Sequence, residues 1–238
     1  MSGILYIISA PSGSGKSTLV YELRKRVPNL EFSVSYTTRA PRGSEKDGHE
    51  YYFVSRDKFE EMIKEDQFLE YADVFGNYYG TARRFLTDAK ETGKDLLLDI
   101  DVQGARQVCS KIPDAVGIFV LPPDKPTLEA RLRNRSIAEN VKPEVIQRRL
   151  ETATKEIENY GNYGYILLND RLEQAVEELR AIVLSERIKR AGPPFPSGAS
   201  DVFAIAERCR QANAQERIKP VLRSFGQRVS GSGALMGE

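Results

Sequence analysis

The 238-residue chain is poor in the residues that build disulfide frameworks and metal sites. It has two cysteines, Cys109 and Cys209, and one histidine, His49. Two thiols so far apart give neither a disulfide framework nor the ligand spacing of a zinc site, and they fit a reducing cytosol. His49 lies in the polar segment EKDGHEYY, where a solvated loop residue is a better interpretation than a catalytic base. We therefore predict a cytoplasmic protein.

The chain also lacks a strong net charge and long apolar runs. Its formal net charge is +1, and its apolar and charged contents are 40% and 29%. Without a global basic field or a run of membrane-spanning length, we expect neither nucleic acid nor a membrane as partner. The short apolar run at the N-terminus has no basic n-region and continues into a loop motif, which favours folded structure over a signal peptide. Any anion site must therefore be local.

What the chain does contain is a phosphate-loop pattern in ILYIISAPSGSGKST, residues 4–18. The apolar run at its start predicts a buried parallel strand. Gly13 and Gly15 allow the backbone to turn its N–H groups towards an anion, and a helix that begins near Lys16 adds its positive end. Lys16 is expected to reach the β- and γ-phosphates of a nucleoside triphosphate, and Ser17 to place a hydroxyl on Mg²⁺.

One position departs from the usual pattern G-x-x-x-x-G-K-[ST], because Ala10 stands where the first glycine is expected. The context still supports the loop, since a helix with Leu19, Val20 and Leu23 on one face follows it. The predicted ATP-binding residues of the loop are Ala10, Pro11, Ser12, Gly13, Ser14, Gly15, Lys16, Ser17 and Thr18.

The segment EFSVSYTTRAPRGSEKDGHEYYFV is rich in side chains that bind phosphate. Arg39 and Arg42 flank Pro41, and Tyr51 follows them. Planar guanidinium groups and phenolic hydroxyls provide the directed hydrogen bonds that a phosphomonoester needs. Taken alone, this loop could also carry ordinary surface arginines.

Carboxylates mark a second candidate site. The run DLLLDID places Asp99 and Asp101 at the end of a predicted central strand, and Glu70 lies upstream in an apolar setting. Open parallel sheets bind ligands at the carboxyl edge of their strands. Asp99 is expected either to hold a Mg²⁺-bound water or to brace the phosphate loop. A helix cap or turn acid is the alternative for both aspartates.

Strand-like runs near residues 4, 32, 96, 116 and 165 alternate with helical patterns. This alternation predicts an α/β fold with a doubly wound parallel sheet. The polar stretch SIAENVKPEV is flanked by arginines and is typical of a mobile lid. These arginines are Arg131, Arg133, Arg135, Arg148 and Arg149.

Composition changes after residue 190. The segment AGPPFPSGAS predicts a linker over residues 191–200. Residues 201–217 are predicted to form one helix, and residues 229–238 to be disordered. The basic residues of this tail alternate with acidic ones, so a nucleic-acid surface is not indicated.

Assembled, the motifs APSGSGKST, VSYTTRAPR, FLEYADVFGNYYGT and LLLDIDVQGA resemble those of bacterial guanylate kinases. The resemblance covers residues from about 2 to 190. It implies a P-loop core over residues 1–34 and 84–190, a small α+β GMP-binding insertion over 35–83, and a helical lid over about 131–150. The implied reaction is transfer of the γ-phosphoryl group of MgATP to GMP.

The resemblance also implies roles for single residues. Glu70 and Asp101 would accept from guanine N1–H and the 2-amino group, which adenine could not satisfy without an unpaired buried carboxylate. Arg135 lies between Asn134 and Ser136, where the family usually has glycines. The GMP phosphate would be bound by Arg39, Arg42, Tyr51 and Tyr79, the O6 side faced by Ser35 and Thr81, the transferring phosphate surrounded by Lys16, Arg131, Arg135 and Arg149, and the adenine approached by Asn169.

Three alternatives remain at this point. Another nucleoside monophosphate kinase, acting on dTMP or AMP, is disfavoured by the paired acids Glu70 and Asp101. A non-catalytic binding module of the same fold would generally have lost the phosphate loop, which is retained here. The tail helix could in addition mediate self-association or partner binding, so a homo-oligomer stays open.

Overall fold

The computed structural model describes residues 3–138 and 143–227, without the side chains of residues 135–143. Within these ranges the chain forms a parallel sheet covered by helices and a second, smaller mixed sheet. The predicted doubly wound α/β fold is confirmed. The disorder predicted for residues 229–238 lies outside the described residues. None of the described helices is long and apolar enough to cross a membrane.

Strands and helices alternate along most of the chain. The strands are β1 (Leu5–Ser9), β2 (Leu30–Phe32), β3 (Tyr36–Thr37), β4 (Tyr52–Phe53), β5 (Phe68–Val74), β6 (Asn77–Ala82), β7 (Asp95–Asp99), β8 (Val116–Leu121) and β9 (Tyr165–Leu168). The helices are α1 (Lys16–Arg26), α2 (Arg56–Lys64), α3 (Arg83–Thr92), α4 (Val102–Lys111), α5 (Lys125–Ala138), α6 (Pro143–Ile157), α7 (Leu172–Ala191), α8 (Ala199–Arg208) and α9 (Gln211–Ser224), with a short 3₁₀ helix at Glu158–Asn162.

The parallel sheet has the strand order β2-β7-β1-β8-β9, so the first strand of the chain lies in its middle. Every residue of β1 is buried, as expected for a strand covered on both faces. Ile8 pairs with Asp99 of β7 and with Ile118 of β8. The carboxyl ends of these strands therefore meet at one edge, directly beside the loop that follows β1.

Alternate residues of β1 enter two separate apolar layers, because successive side chains of a strand point to opposite faces. Tyr6 and Ile8 pack with α1 and α7. Leu5 and Ile7 belong to the opposite layer, which includes apolar residues of α4, α5 and α6. The helices α5 and α6, which contain the predicted lid residues, are thus anchored in the core by their apolar faces.

The smaller sheet has the order β4-β3-β6-β5 and lies between β2 and α3 in the chain. It has its own apolar cluster of Phe59, Met62 and Phe68, beneath α2. Phe59 and Phe68 are stacked with ring centroids 4.3 Å apart. Three of the residues that the sequence assigned to GMP binding lie on its strands, namely Glu70, Tyr79 and Thr81.

The tail differs from its prediction, because residues 201–217 do not form one helix. The chain leaves α8 at Cys209 and pairs with the edge of β9 before α9 begins. Ile166 N–H donates to the Cys209 carbonyl at 2.7 Å, and Gln211 N–H donates to the Gly164 carbonyl at 3.0 Å. These bonds satisfy an otherwise open strand edge, and they require extended backbone where the helical pattern would continue.

The prediction that the core ends at residue 190 is also wrong. α7 continues to Ala191 and α8 begins at Ala199, so the helix-free connection is shorter than the predicted linker over 191–200. Apolar side chains of both tail helices are buried in the two core layers. They are Ala206 and Cys209 on the α1/α7 side, and Ala214, Ile218, Val221, Leu222 and Phe225 on the α5/α6 side.

Candidate active site

The phosphate loop connects β1 to α1. Gly13 and Gly15 have φ angles of 90° and 86°, in the left-handed region that glycine adopts without strain. Ser14 N–H donates to the Pro11 carbonyl at 3.1 Å and closes the turn. The helix begins at Lys16, so its positive end faces the loop. The backbone therefore has the form of an anion cradle.

Two side chains from outside the loop hold its backbone. Asn169, buried at the end of β9, donates from Nδ2 to the Ser14 carbonyl at 2.7 Å. A Cβ at Gly15 would collide with this amide, which is a second reason for glycine there. Arg131 of α5 reaches the same place, with Nη1 3.4 Å from the Ser14 oxygen and Nη2 3.4 Å from the Asn169 oxygen.

Lys16 forms an ion pair with Asp99, and both side chains are largely buried. The pairing of β1 with β7 explains the contact, because it places Asp99 beside the loop. Of the two roles predicted for Asp99, this contact fits the bracing of the phosphate loop, and the Mg²⁺ role stays a prediction. Ser17 and Thr18 are exposed on the first turn of α1.

The other predicted lid cations belong to α5 and α6. Arg149 is buried on α6. Its neighbour Arg148 lies over the Phe75 ring, 5.2 Å from the ring centre, so α6 contacts the turn between β5 and β6. Arg135 is in α5, and its side chain lies outside the described residues.

The side chains predicted for the GMP phosphate form a cluster. Arg39 is buried, and its guanidinium carbon is 5.3 Å from the centre of the Tyr51 ring. Tyr51 and Tyr79 meet edge to face with centroids 5.7 Å apart. Arg42 lies in the same loop, where its N–H donates to Glu45 Oε2 at 2.8 Å. Arg39 and Glu45 also form an ion pair, with Nη1 2.9 Å from Oε2.

The carboxylates predicted to read the base lie where the small sheet meets α4. Glu70 is buried on β5 and pairs with Thr81 of β6. Asp101 accepts from Gly104 N–H at 2.8 Å and caps α4, so the capping role left open by the sequence is real. A Cβ at Gly104 would collide with the Glu70 carboxylate, which allows α4 to approach the strand. Ser35, the remaining predicted residue, is buried just before β3.

Burial raises the pKa of Glu70 to about 7. Thr81 acts in the opposite direction, and the charge of Asp101 adds to the rise. A carboxyl group without compensating cations loses hydration energy when it ionises in the interior. Glu70 is therefore poised for a ligand that donates hydrogen bonds.

Electrostatic coupling joins the two halves of the site. Burial raises the pKa of Tyr51 to about 12, and the charge of Asp99 contributes to this rise. Asp99 is the partner of Lys16, so the tyrosine of the small sheet and the lysine of the phosphate loop share a neighbour.

Sequence reasoning missed two carboxylates in this region. Glu45 contacts both Arg39 and Arg42, and its position shortly after them in the sequence was the available signal. Burial raises the pKa of Glu156 of α6 to about 7, while Lys16 and the Ser12 N–H lower it. In the sequence Glu156 is one acid among several on an amphipathic helix, and nothing singled it out.

Comparison with known protein families shows which family has this arrangement. The profile of the family described as guanylate kinase matches residues 2–186. The chain belongs to the guanylate kinase family. The guanylate kinase of Koribacter versatilis is 59% identical over 225 residues, which cover 94% of this chain and 97% of that protein. This similarity extends beyond the family match into the tail helices.

More distant guanylate kinases also match most of the chain. The guanylate kinase of Escherichia coli (strain K12) is 47% identical over 189 residues, covering 79% of this chain and 90% of that protein. Among solved structures, a crystal structure of guanylate kinase from Anaplasma phagocytophilum matches with a TM-score of 0.65 at 30% identity. It covers 87% of this chain and 96% of that chain. The guanylate kinase fold therefore accounts for the two sheets.

Proposed function

We infer that this chain is an active guanylate kinase, which transfers the γ-phosphoryl group of ATP to GMP and gives ADP and GDP. The observation that carries this inference is the convergence of an anion-binding loop with an arginine–tyrosine cluster and a buried carboxylate. Asp99 links the first two of these parts, because it pairs with Lys16 and its charge acts on Tyr51. A non-catalytic binding module would not need the anion-binding loop.

On the acceptor side, we assign residues 35–83 to GMP binding. Glu70 and Asp101 would accept from guanine N1–H and the 2-amino group, with Ser35 and Thr81 towards O6. Arg39, Arg42, Tyr51 and Tyr79 would hold the phosphate. The burial of Glu70 supports base selection, because a base without donors would leave a buried carboxylate unpaired.

On the donor side, we assign residues 10–18 and Asn169 to ATP, and residues from about 131 to 150 to the lid. Phosphoryl transfer needs alignment of the substrates and fixed cations around the moving group more than covalent help from the protein. Lys16 would supply one cation, and the lid would supply Arg131, Arg135 and Arg149. The acceptor phosphate is already an anion, so the transfer requires no general base.

We propose that the nucleotide is used as its Mg²⁺ complex. Among the described residues there is no cluster of three or more acidic, histidine or cysteine side chains suited to hold a metal. This fits Mg²⁺, which commonly binds through substrate phosphates and a few protein oxygens. Ser17 would provide its hydroxyl, with Asp99 acting through a water, and the ion would supply charge neutralisation. The thiols of Cys109 and Cys209 are unpaired, which supports a cytoplasmic location.

The test is an acceptor screen. MgATP is offered to the purified chain with GMP, AMP, dTMP, CMP or UMP, and ADP and nucleoside diphosphate are quantified separately. We expect rapid turnover with GMP alone. Turnover with a different acceptor would reject the assignment of Glu70 and Asp101, and absence of turnover in a folded chain that binds GMP would reject the activity.

Lys16→Ala serves as the control for contaminating kinases in this screen. We expect a loss in kcat of at least ~100-fold, as for removal of a charge that stabilises the transition state. A loss below threefold would remove Lys16 from the proposed transfer step.

A further inference from the structure

Glu45 links both arginines of the proposed acceptor-phosphate site. Its Oε2 accepts from Arg39 Nη1 at 2.9 Å, and its Oε1 accepts from Arg39 Nη2 at 3.1 Å. The same Oε2 accepts from the Arg42 N–H at 2.8 Å. One carboxylate thus fixes the guanidinium of Arg39 and the backbone that carries Arg42.

The way in which Arg39 is held determines which of its donors stay available. A guanidinium group has five N–H donors in a plane, and Nε and Nη2 direct one N–H each to the same side. Arg39 uses Nη1 for the Ala40 carbonyl, at 2.6 Å, and for Glu45. Its Nε is buried and has no hydrogen-bond partner among the described residues. The Nε/Nη2 side therefore keeps a donor without a partner, and Tyr79, another residue predicted for the acceptor phosphate, interacts with the same guanidinium.

Glu45 remains charged in this position. Burial would raise the pKa of its carboxyl, but the hydrogen bonds from Arg39 and from Arg42 N–H outweigh burial and lower the pKa below its ordinary value. The Arg39–Glu45 pair carries no net formal charge, so the charge of a bound phosphate dianion also needs other cations, of which Arg42 is one.

We propose that Glu45 is a positioning residue for the acceptor phosphate, which holds the end of the Arg39 guanidinium so that its Nε/Nη2 side faces that phosphate. The proposal rests on the proposed function and names how its phosphate subsite is preorganised. Glu45 uses a different side of Arg39 from the phosphate, so it supports the ligand instead of competing with it. Its bond to Arg42 N–H orders the second arginine in the same step.

The experiment compares a ligand that has the phosphate with one that lacks it. Dissociation constants of GMP and guanosine are measured by titration for the wild type and for Glu45→Gln. The amide NH₂ of glutamine would face guanidinium N–H groups and release Arg39 from its orientation. We expect GMP to bind at least tenfold more weakly, and guanosine and ATP to change by less than twofold.

Two further variants give the comparison its control. Glu50→Gln alters a carboxylate of the same loop, which accepts from the Lys46 N–H at 2.7 Å, and should leave the affinity for GMP within twofold. Glu45→Asp keeps the charge and should recover part of the lost affinity for GMP.

Equal weakening of GMP and guanosine would show that Glu45 only maintains the fold of the loop, and would overturn the proposal. Tighter binding of GMP by Glu45→Gln would mean competition with the phosphate and would overturn it as well. Because the titrations need no turnover, they test Glu45 even if the acceptor screen fails. If the acceptor screen fails but Glu45→Gln still weakens the binding of GMP and not that of guanosine, only the proposed activity is rejected.

Discussion

At the scale of the residue, the environment of Glu70 should make the proposed recognition of guanine dependent on pH. The carboxylate must be ionised to accept two guanine N–H groups, yet burial raises the pKa of Glu70 to about 7. Below pH 7 the free protein holds Glu70 protonated, so binding must first remove that proton. We expect the affinity for guanosine to fall about tenfold per pH unit below 7.

Guanosine inhibition of GMP turnover between pH 5.5 and 8.5 measures this dependence, because guanosine has no phosphate that titrates in the range. Glu70→Gln should bind guanosine weakly at every pH and show no such slope. A wild-type inhibition constant that stays constant across the range would contradict an unpaired Glu70 carboxylate in the base site.

The same pKa has a consequence for stability. The folded pKa of Glu70 is raised from 4.5 to about 7, so the folded state holds the proton more tightly than the unfolded chain. The stability contributed by this group is fully present below pH 4.5 and is lost as pH rises to about 7. At pH 8 the free energy of unfolding of Glu70→Gln should therefore be ~3 kcal/mol higher than that of the wild type. This difference should vanish near pH 4.

Which residues could be foreseen depends on how local their signal is. Lys16 and the loop glycines follow a fixed spacing between a strand and a helix, so the sequence indicates them directly. Glu70 required the family resemblance, since an acid in an apolar run has no single meaning. The proposed role of Glu45 depends on its pairing with the end of a guanidinium group, and this geometry depends on how the loop closes, which residue spacing does not encode.

At the scale of the element, the tail shows where local patterns stop being informative. The apolar spacing of residues 201–217 is helical, and helices do form there. The break at Cys209 arises because its carbonyl bonds to Ile166 of β9, a residue distant in sequence. A helical pattern cannot report a neighbouring strand edge, so the position of the break and the packing of α9 were not predictable from it.

α9 is an integral part of the core. Its Ser224 Oγ accepts from the Lys125 N–H at the start of α5, at 3.0 Å. Gln227 follows it, with Nε2 3.2 Å from Glu158 Oε1 just after α6. Arg217 pairs with the buried Glu178 of α7 at 2.6 Å. The tail therefore joins both lid helices to the opposite side of the sheet.

We expect Ile218→Ala to lower the free energy of unfolding by about 2–5 kcal/mol, the usual cost of a cavity at a fully buried isoleucine. Arg223→Ala, an exposed change on the same helix, should cost less than ~0.5 kcal/mol. Urea denaturation of the full chain measures both. Equal, small effects would mean that α9 is not docked on the core in solution.

At the scale of the whole molecule, the strand order brings the functional parts together. With β1 between β7 and β8, the phosphate loop lies beside the acids that follow β7. Alternation of strands and helices predicted this sheet and its active edge. It did not predict that α6 contacts the small sheet. Nothing in the sequence around Arg148 or Phe75 indicates that these two residues meet.

Phe75 is well placed to meet the lid. It lies at the turn between β5 and β6 with a φ angle of 55°, and its side chain is 43% exposed. Arg148 of α6 covers its ring at 5.2 Å. A cation over an exposed ring contributes roughly 0.5–1 kcal/mol. The contact joins α6, part of the proposed lid, to the small sheet, and it should favour the closed arrangement that the proposed transfer requires.

We expect Phe75→Ala and Arg148→Ala each to lower kcat/KM for GMP by about two- to fivefold, since that energy would be lost from closure. The double variant should lose no more than either single variant, because the contact can be removed only once. Arg133→Ala is the matched control, as this exposed lid arginine pairs with Glu129 of its own helix. If the two single losses instead multiply in the double variant, Phe75 and Arg148 act independently and closure does not use their contact.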